Sequence, residues 1–372
     1  MIGIFGGAFN PPHKEHIKMM VEALNEGLSK IVVVPSKNPP HKSTCQTPFA
    51  NRVDMLNIAL LGKKDIIIDN IEDRDDSIHY TYQTLPKLIN KYGDVVFIMG
   101  GDSLIDFATW KNPQEIIKMC PIWVFKRGDR DEELEKAKEY WESKGANIKI
   151  LSYVPKAISS SLIRYYLALG FDVDVDEKVL RYIQDNGLYQ DYEPLIRKLT
   201  SYMTEKRFLH VLGVAKYALY LNDLHRLGLD QNKVLLAAIL HDCAKRFEHD
   251  DSYNKDGVPL DAIGTPVEHQ FLGAIVAKND FKIDDEEILS AIRSHTTGKP
   301  NMTTLEKLIY CADLMEYGRK DDFLWPLRKS IEKDFEQGFL DAVKQQYDYL
   351  RSAKGDNIYP LTIDCAKYYL NI

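Results

Sequence analysis

Two groups of residues in this sequence have types and spacings that can do chemistry. The first follows an apolar run near the N-terminus: Gly6-Gly7-Ala8-Phe9-Asn10-Pro11-Pro12-His13-Lys14-Glu15-His16. Glycines at such a turn let the backbone approach a phosphate, and the N–H groups of the helix start attract an anion. His13 and His16, three apart, share a face of the first helical turn and can donate to a triphosphate. A Gly-Pro turn with two solvated histidines is the plainer alternative. Further on, Ile158-Ser159-Ser160-Ser161-Leu162-Ile163-Arg164 sets three hydroxyls at a helix start, with an arginine in its second turn. That string also offers donors to phosphate oxygens, or else is an ordinary serine N-cap.

The second group is an ordered series: His210, His241-Asp242, His269, His295 and Asp313. Imidazoles and carboxylates on helices of one bundle suit first-row transition metals such as iron or manganese. Neighbouring helical residues point about 100° apart, so His241 and Asp242 serve one metal only near a helix end, or bridge two. Taken singly, each histidine reads equally as a buried or capping residue, and His225 and His249, outside the series, are read that way. Lys245, one helical turn past the His-Asp pair, either faces the same cavity or is a solvated helix lysine.

The elements that must position these groups differ between the two halves. β-rich runs at Ile2–Phe5, Ile31–Val34, Ile66–Ile68, Val95–Met99, Ile122–Phe125 and Ile148–Leu151 alternate with amphipathic stretches at Ile17–Leu24, Arg52–Leu60 and Tyr80–Ile89. The alternation predicts βαβ units around a parallel sheet, which binds ligands at the carboxyl ends of its strands. After Val175 the β-rich runs largely stop. A helix-like segment to Gln184 precedes the Asn186-Gly187 turn pair, a natural boundary. Beyond it, Phe208-Val211-Leu212-Ala215, Val234–Leu240, Ile288–Ile292 and Leu305–Ala312 keep helical spacing, so the second half reads as all-α. Asp250–Pro266 reads as a loop.

At 372 residues the chain is too long for one ordinary core, which agrees with two domains. A net charge of −7, mixed along the sequence, argues against nucleic acid or anionic membrane as partner. The five cysteines (Cys45, Cys120, Cys243, Cys311, Cys365) have no regular spacing, which favours a reducing compartment over a disulfide framework. No apolar run reaches the roughly 18 residues of a membrane span, and MIGIF lacks a signal peptide's basic flank. A cytoplasmic location is expected.

Jointly, the first-half strings resemble the nucleotidyltransferase superfamily, with its His/Thr-x-Gly-His and Ile-Ser-Ser-Thr-x-Ile-Arg signatures. Val34-Pro35, Asn38-Pro39-Pro40-His41-Lys42, Ser77-Ile78-His79-Tyr80-Thr81, Gly100-Gly101-Asp102-Ser103 and Trp110 narrow the likeness to bacterial nicotinate-nucleotide adenylyltransferases, over nearly all of residues 1–189. The resemblance implies a Rossmann-like α/β fold, a doubly wound parallel sheet. The implied reaction is attack of nicotinate mononucleotide on the α-phosphorus of ATP, with Mg²⁺, giving deamido-NAD and pyrophosphate. It carries over His13, His16 and Arg164 to the ATP phosphates and Lys42 to charge neutralisation there. Asp102 falls to the adenosine ribose, and Thr81 and Trp110 to the nicotinate nucleotide. Gly6, Gly7, Phe9, Gly100, Ser159, Ser160 and Ser161 complete the expected binding set. The family signature has glycine where this chain has Glu15. A carboxylate there is expected to crowd the triphosphate, so that Glu15→Gly lowers the Michaelis constant for ATP or leaves it unchanged.

The second series resembles the HD superfamily, an all-α helical bundle. Ala291-Ile292-Arg293-Ser294-His295-Thr296-Thr297-Gly298-Lys299-Pro300 and Thr304-Leu305-Glu306-Lys307-Leu308-Ile309-Tyr310-Cys311-Ala312-Asp313 look like the bacterial members that split diadenosine tetraphosphate symmetrically. The likeness runs from about Glu193 to Leu350, within a domain taken as 193–372. It implies two iron ions, with manganese or another divalent metal as the alternative, held by His210, His241, Asp242, His269, His295 and Asp313. Lys245 is then a candidate catalytic group, and Arg293, Lys299 and Arg319 candidate phosphate binders. Nicotinamide-nucleotide or pantetheine-phosphate adenylylation stays open for the first half. A phosphodiesterase or nucleotidase, or a nucleotide-binding module without turnover, stays open for the second, as does a homo-oligomer.

Overall fold

The computed structural model describes residues 1–38, 47–74, 77–126, 130–156, 158–248, 253–355 and 357–372. Lys42, residues 39–41, Cys45 and His249 lie outside them. Two compact units make up the chain, Met1–Gln190 and Asp191–Ile372.

The first unit holds strands β1 (Ile2–Gly7), β2 (Lys30–Pro35), β3 (Ile66–Ile68), β4 (Val95–Gly100), β5 (Ile122–Phe125) and β6 (Ile148–Leu151). Its helices are α1 (Lys14–Asn25), α2 (Phe49–Ala59), α3 (Thr81–Tyr92), α4 (Gly101–Ile105), α5 (Pro113–Met119), α6 (Asp131–Glu142), α7 (Ser160–Ala168) and α8 (Glu177–Asp185). All strand pairs are parallel, in the order β3-β2-β1-β4-β5-β6. A parallel strand covered on both faces is apolar along most of its length; edge strand β6 departs from this at exposed Lys149. Side chains alternate between the faces: Ile4, Val32, Phe97 and Val124 join one core, and Phe5, Val33, Ile98 and Phe125 the other. Strand order reverses between β1 and β4, which opens a crevice beyond their carboxyl ends. Gly6-Gly7 closes β1 and Gly100 closes β4, at that crevice.

The second unit holds α9 (Glu193–Thr200), α10 (Glu205–His225), α11 (Gln231–Leu240), α12 (Glu268–Asn279), α13 (Glu286–Ser294), α14 (Thr304–Met315), α15 (Leu324–Lys333), α16 (Phe335–Lys354) and α17 (Pro360–Leu370), and no strand among the described residues. Helix α11, apolar on every side from Val234 to Leu240, is the buried centre. Side-chain caps start several helices: Thr204 accepts from Arg207 N, Asp230 from Lys233 N and Thr303 from Glu306 N. The expected loop before Pro266 carries no helix or strand in its described part. No helix among the described residues is long and apolar enough to cross a membrane.

Candidate active sites

The crevice of the first unit contains two adjoining cavities. One, of about 410 Å³, is lined by Gly6, His13, His16, Gly100, Asp102, Ser159 and Ser160, with Lys126 and Lys156. The other, of about 300 Å³, is lined by Gly6, Gly7, Thr81, Glu72, His79 and Lys111. Gly6, Phe97, Ser103 and Trp110 belong to both linings. The Trp110 ring stands edge-on to Phe107 and Phe97, with centroids 5.2 and 6.3 Å away. Phe9, Ser161 and Arg164 line neither cavity. Phe9 is buried and packs edge-on beneath His16, 5.1 Å between centroids, so it supports the site without facing a ligand. The Arg164 guanidinium donates to the Asn10 carbonyl (2.8 Å) and the Ser161 hydroxyl (3.2 Å). Arg164 therefore ties α7 to the loop that delivers His13.

The serine string divides its labour. Ser159 caps α7 by accepting from Leu162 N (3.1 Å), and Ser160 donates to the Pro11 carbonyl (2.9 Å). The N–H groups of the first α7 turn have no helical acceptor and point out of the helix start. His13 is the N-cap residue of α1, and its ring stacks on that of His16 at 3.6 Å. Its backbone N–H donates to His16 Nδ1 (3.2 Å), which leaves the His16 proton on Nε2. Burial pushes the His13 pKa down to about 4, so this histidine is a neutral donor at pH 7.

Glu15 also lines the larger cavity, and its side chain is 1% exposed, with its carboxylate engaged by donors of the protein itself. Lys18 Nζ (2.9 Å), the Tyr153 hydroxyl (2.7 Å) and the Lys156 backbone N–H (3.1 Å) all donate to it. Burial works against its charge, yet these donors outweigh it and lower its pKa. The carboxylate is a latch between α1 and the segment after β6. Arg52, which the sequence did not single out, is buried and donates to the carbonyls of Ala8 (2.7 Å), Ser36 (2.7 Å) and Lys37 (3.0 Å). It holds the loop after β1 against the loop after β2.

In the second unit every residue of the series converges. His210 lies in α10, His269 in the first turn of α12, and Asp313 in the last turn of α14; His241 and His295 cap the C-termini of α11 and α13. Three overlapping triads (His210, His241, Asp242; His241, His295, Asp313; Asp242, His269, His295) each bring their ligand atoms within 4.8 Å of one another. Asp242 faces both ways. Its Oδ2 lies 3.4 Å from His241 Nε2 and 4.0 Å from His210 Nε2, and its Oδ1 lies 3.5 Å from His269 Nε2 and 3.6 Å from His295 Nε2. One carboxylate between two sets of imidazoles suits a pair of cations.

Each imidazole is oriented by its other nitrogen. His241 Nδ1 donates to the Ala238 carbonyl (2.6 Å) and His295 Nδ1 to the Ile292 carbonyl (2.8 Å), each three residues back in a helix's last turn. His210 Nδ1 meets Glu316 (3.2 Å) and His269 Nδ1 meets Glu248 (2.6 Å). Neither glutamate was anticipated. The His241 Nε2 atom is buried with no hydrogen-bond partner among the described residues, as a metal ligand should be. Burial disfavours charge on Asp242 and Asp313, but the surrounding histidines hold both well below the usual carboxylate range. Burial also disfavours protonated His210, and hydrogen bonds to Asp313 and Glu316 overcome it, pushing its pKa up to about 9. The donor set fits divalent metal.

Lys245 and Arg319 line the metal cavity, as expected, together with Arg207. Lys245 Nζ lies 3.0 Å from His269 Nδ1, Arg319 donates to Asp313 (2.8 Å), and Arg207 donates to Asp242. Arg293 and Lys299 do not line it. Arg293 pairs with Glu286, and Lys299 with Glu306 at 2.7 Å. Arg293 is two positions before His295 in α13, and a two-residue step turns a side chain to the opposite side of a helix. Lys299 follows the turn beyond α13, in which Gly298 takes a φ of +63°.

The cytidylyltransferase-like family matches residues 4–165, and the HD domain matches residues 207–318. A Mycoplasma genitalium protein named "Probable nicotinate-nucleotide adenylyltransferase/Ap4A hydrolase" is 27% identical over 354 residues, 92% of this chain and 96% of the relative. A Clostridium acetobutylicum "Probable nicotinate-nucleotide adenylyltransferase" is 36% identical over 194 residues, 50% of this chain and 97% of the relative. A solved structure from Clostridium acetobutylicum, described as a predicted HD superfamily hydrolase involved in NAD metabolism, is 31% identical with a TM-score of 0.42, covering 49% of this chain and 97% of that one. With both crevice and histidine cluster in place, the chain belongs to the nicotinate-nucleotide adenylyltransferase family over its first half and carries an HD domain in its second.

Proposed function

We propose that the first unit transfers the adenylyl group of ATP to nicotinate mononucleotide, and that the second hydrolyses diadenosine tetraphosphate to two ADP. For the transfer, the carrying observation is the pair of cavities that meet at Gly6, Phe97, Ser103 and Trp110. Two nucleotides entering from the two sides bring a phosphate oxygen and the α-phosphorus together, and positioning supplies most of such catalysis. ATP, with its Mg²⁺, takes the larger cavity: His16 Nε2, neutral His13 and the α7 start face its phosphates, and Asp102 accepts from the ribose. Arg164 acts on the same loop, and Lys42 adds charge. Thr81 and Trp110 hold the nicotinate nucleotide, the indole by stacking.

For hydrolysis, the carrying observation is Asp242 set between His210–His241 and His269–His295. His210, His241, Asp242, His269, His295 and Asp313 would hold two ions, for which we favour iron. Such ions, when bound, acidify water and neutralise phosphate charge. Arg207, Lys245 and Arg319 pair with the remaining phosphate oxygens and orient the chain of phosphates.

Both readings are tested with purified protein and chromatography of products. Transfer should proceed with nicotinate mononucleotide and much more slowly with nicotinamide mononucleotide; equal rates overturn the acceptor, and no transfer overturns the function. Diadenosine tetraphosphate should give ADP alone. ATP plus AMP means off-centre attack, and no reaction favours a phosphodiesterase or a binding module.

A further inference from the structure

A cavity of about 790 Å³ opens beside the metal cavity of the second unit and shares Pro266, Thr296 and Gln346 with it. The Thr296 hydroxyl lies 3.0 Å from His269 Nε2, so the shared rim touches the metal-ligand cluster itself. Its position is fixed from beneath. Gln270, fully buried, accepts from the backbone N–H groups of Thr296 (3.2 Å) and Thr297 (3.1 Å). The opposite rim is fixed as well: buried Glu268 accepts from Gly264 N–H and pairs with Lys255 at 2.7 Å, pinning the loop that carries Pro266.

The two cavities differ in chemistry. The cations Arg207, Lys245 and Arg319 line the metal cavity, where phosphates belong. The larger one presents Leu350, Ile358, Tyr359 and Pro360 as an apolar and aromatic wall, with Gln346 and Asn357 as polar groups and with Asp261 and Lys354, of opposite charge, in place of a cluster of cations. At about 240 Å³ the metal cavity is the smaller of the two, and its cations suit phosphates. A planar, apolar-faced group with hydrogen-bonding edges suits the larger cavity.

We infer that this second cavity binds a nucleoside of the hydrolysed nucleotide, with Thr296 and Gln346 at the gate between base and phosphates. The inference rests on the hydrolase reading above, and names where its substrate's selectivity resides. Base recognition comes from the α16–α17 corner, and the metal cluster reads only phosphate.

The test uses the metal-loaded full chain and two substrates, diadenosine tetraphosphate and the small ester bis(p-nitrophenyl) phosphate, which needs only the metal cavity. Ala353 is exposed on α16 and lines the larger cavity, so Ala353→Trp places a ring there with little risk to the core. The variant should raise the KM for the dinucleotide, and the Ki of ADP against ester hydrolysis, about tenfold or more, the scale of lost base packing. Ester turnover and the Ki of inorganic phosphate should stay as in the unaltered chain. An unchanged Ki for ADP in an ester-active variant overturns the inference. Should Ala353→Trp lose ester hydrolysis, Lys354→Trp decides on the same readouts, since Lys354 is exposed at the end of α16 and lines the larger cavity without lining the metal cavity. If the unaltered chain leaves the dinucleotide intact, the hydrolase reading fails separately; the inhibition series still decides the cavity, and ADP binding no tighter than phosphate overturns it.

Discussion

Replacing Glu15 by glycine, the residue its family signature carries, sets two physical accounts against each other. If the carboxylate crowded the triphosphate, its removal would improve ATP binding. The structure instead gives it three donors, of which the Tyr153 hydroxyl and the Lys156 N–H join α1 to the segment after β6. Leaving those two donors unmatched costs about 1.5 kcal/mol each. Glycine inside α1 adds about 1 kcal/mol. Lys18 is half exposed, so its ion pair adds little. The sum is about 4 kcal/mol, which with an m-value of about 2 kcal/mol/M shifts the urea midpoint of this unit by roughly 2 M. Three of the four tryptophans, Trp110, Trp123 and Trp141, lie in the first unit, so fluorescence reports its unfolding. Glu15→Gln keeps helix propensity and one acceptor and should lose about half as much. The KM for ATP should rise in Glu15→Gly, because Lys156 and Pro155 line the ATP-side cavity and lose their tether. An unchanged midpoint together with a lower KM would refute the latch and restore the crowding account.

Other consequences follow from the same geometry. His241→Ala with Asp242→Ala should strip metal from the second unit, read by elemental analysis, and abolish hydrolysis while adenylyl transfer persists; loss of both reactions in a folded chain would show one coupled catalytic unit. Glu316→Gln should weaken metal binding by about 10- to 100-fold, measured by competition with a chelator. Since Asp313 and Glu316 push the His210 pKa up to about 9, proton and cation compete for it, and metal affinity should climb with pH until about 9. His13 binds its proton less readily folded (about 4) than unfolded (6.5), so its share of stability is complete above pH 6.5 and vanishes as pH falls to about 4. That share is about 3 kcal/mol, and a His13→Asn control should flatten the corresponding slope in urea midpoints between those pH values.

All six strands were legible because a strand buried on both faces must be a mostly apolar, β-rich run between polar segments. Helix α12 was not, since its Glu268, His269 and Gln270 are buried beside its apolar residues and blur any stripe. The metal-site series could be read from order alone, because so many imidazoles and carboxylates in sequence on a helical scaffold have few other uses. Glu248 and Glu316 could not: a surface-type acid acquires meaning only through its distance to a particular Nδ1. Arg52 escaped notice for a different reason. Its partners are backbone carbonyls, which every residue has, so no residue type announces the contact. Arg328 is its counterpart in the second unit, buried and donating to the carbonyls of Met315 (2.7 Å), Glu316 (2.7 Å) and Arg319 (2.9 Å). Arg293 and Lys299, near His295 in sequence, lie outside the lining of the metal cavity, because helix phase and the turn at Gly298 direct both elsewhere.

The helix-end carbonyls behind His241 and His295 set a limit on how this centre can change. Glu248 and Glu316 can be exchanged for amides or lost in a single codon step, which retunes the basicity of His269 and His210. No codon removes the carbonyl of Ala238 or Ile292. Two of the four imidazoles are thus held in tautomer by groups beyond the reach of mutation, and side-chain scanning across those positions will register only packing. Whatever drift this site undergoes must be lopsided: the His210 and His269 sides can wander in metal affinity, and the His241–His295 side stays anchored for as long as α11 and α13 end where they do.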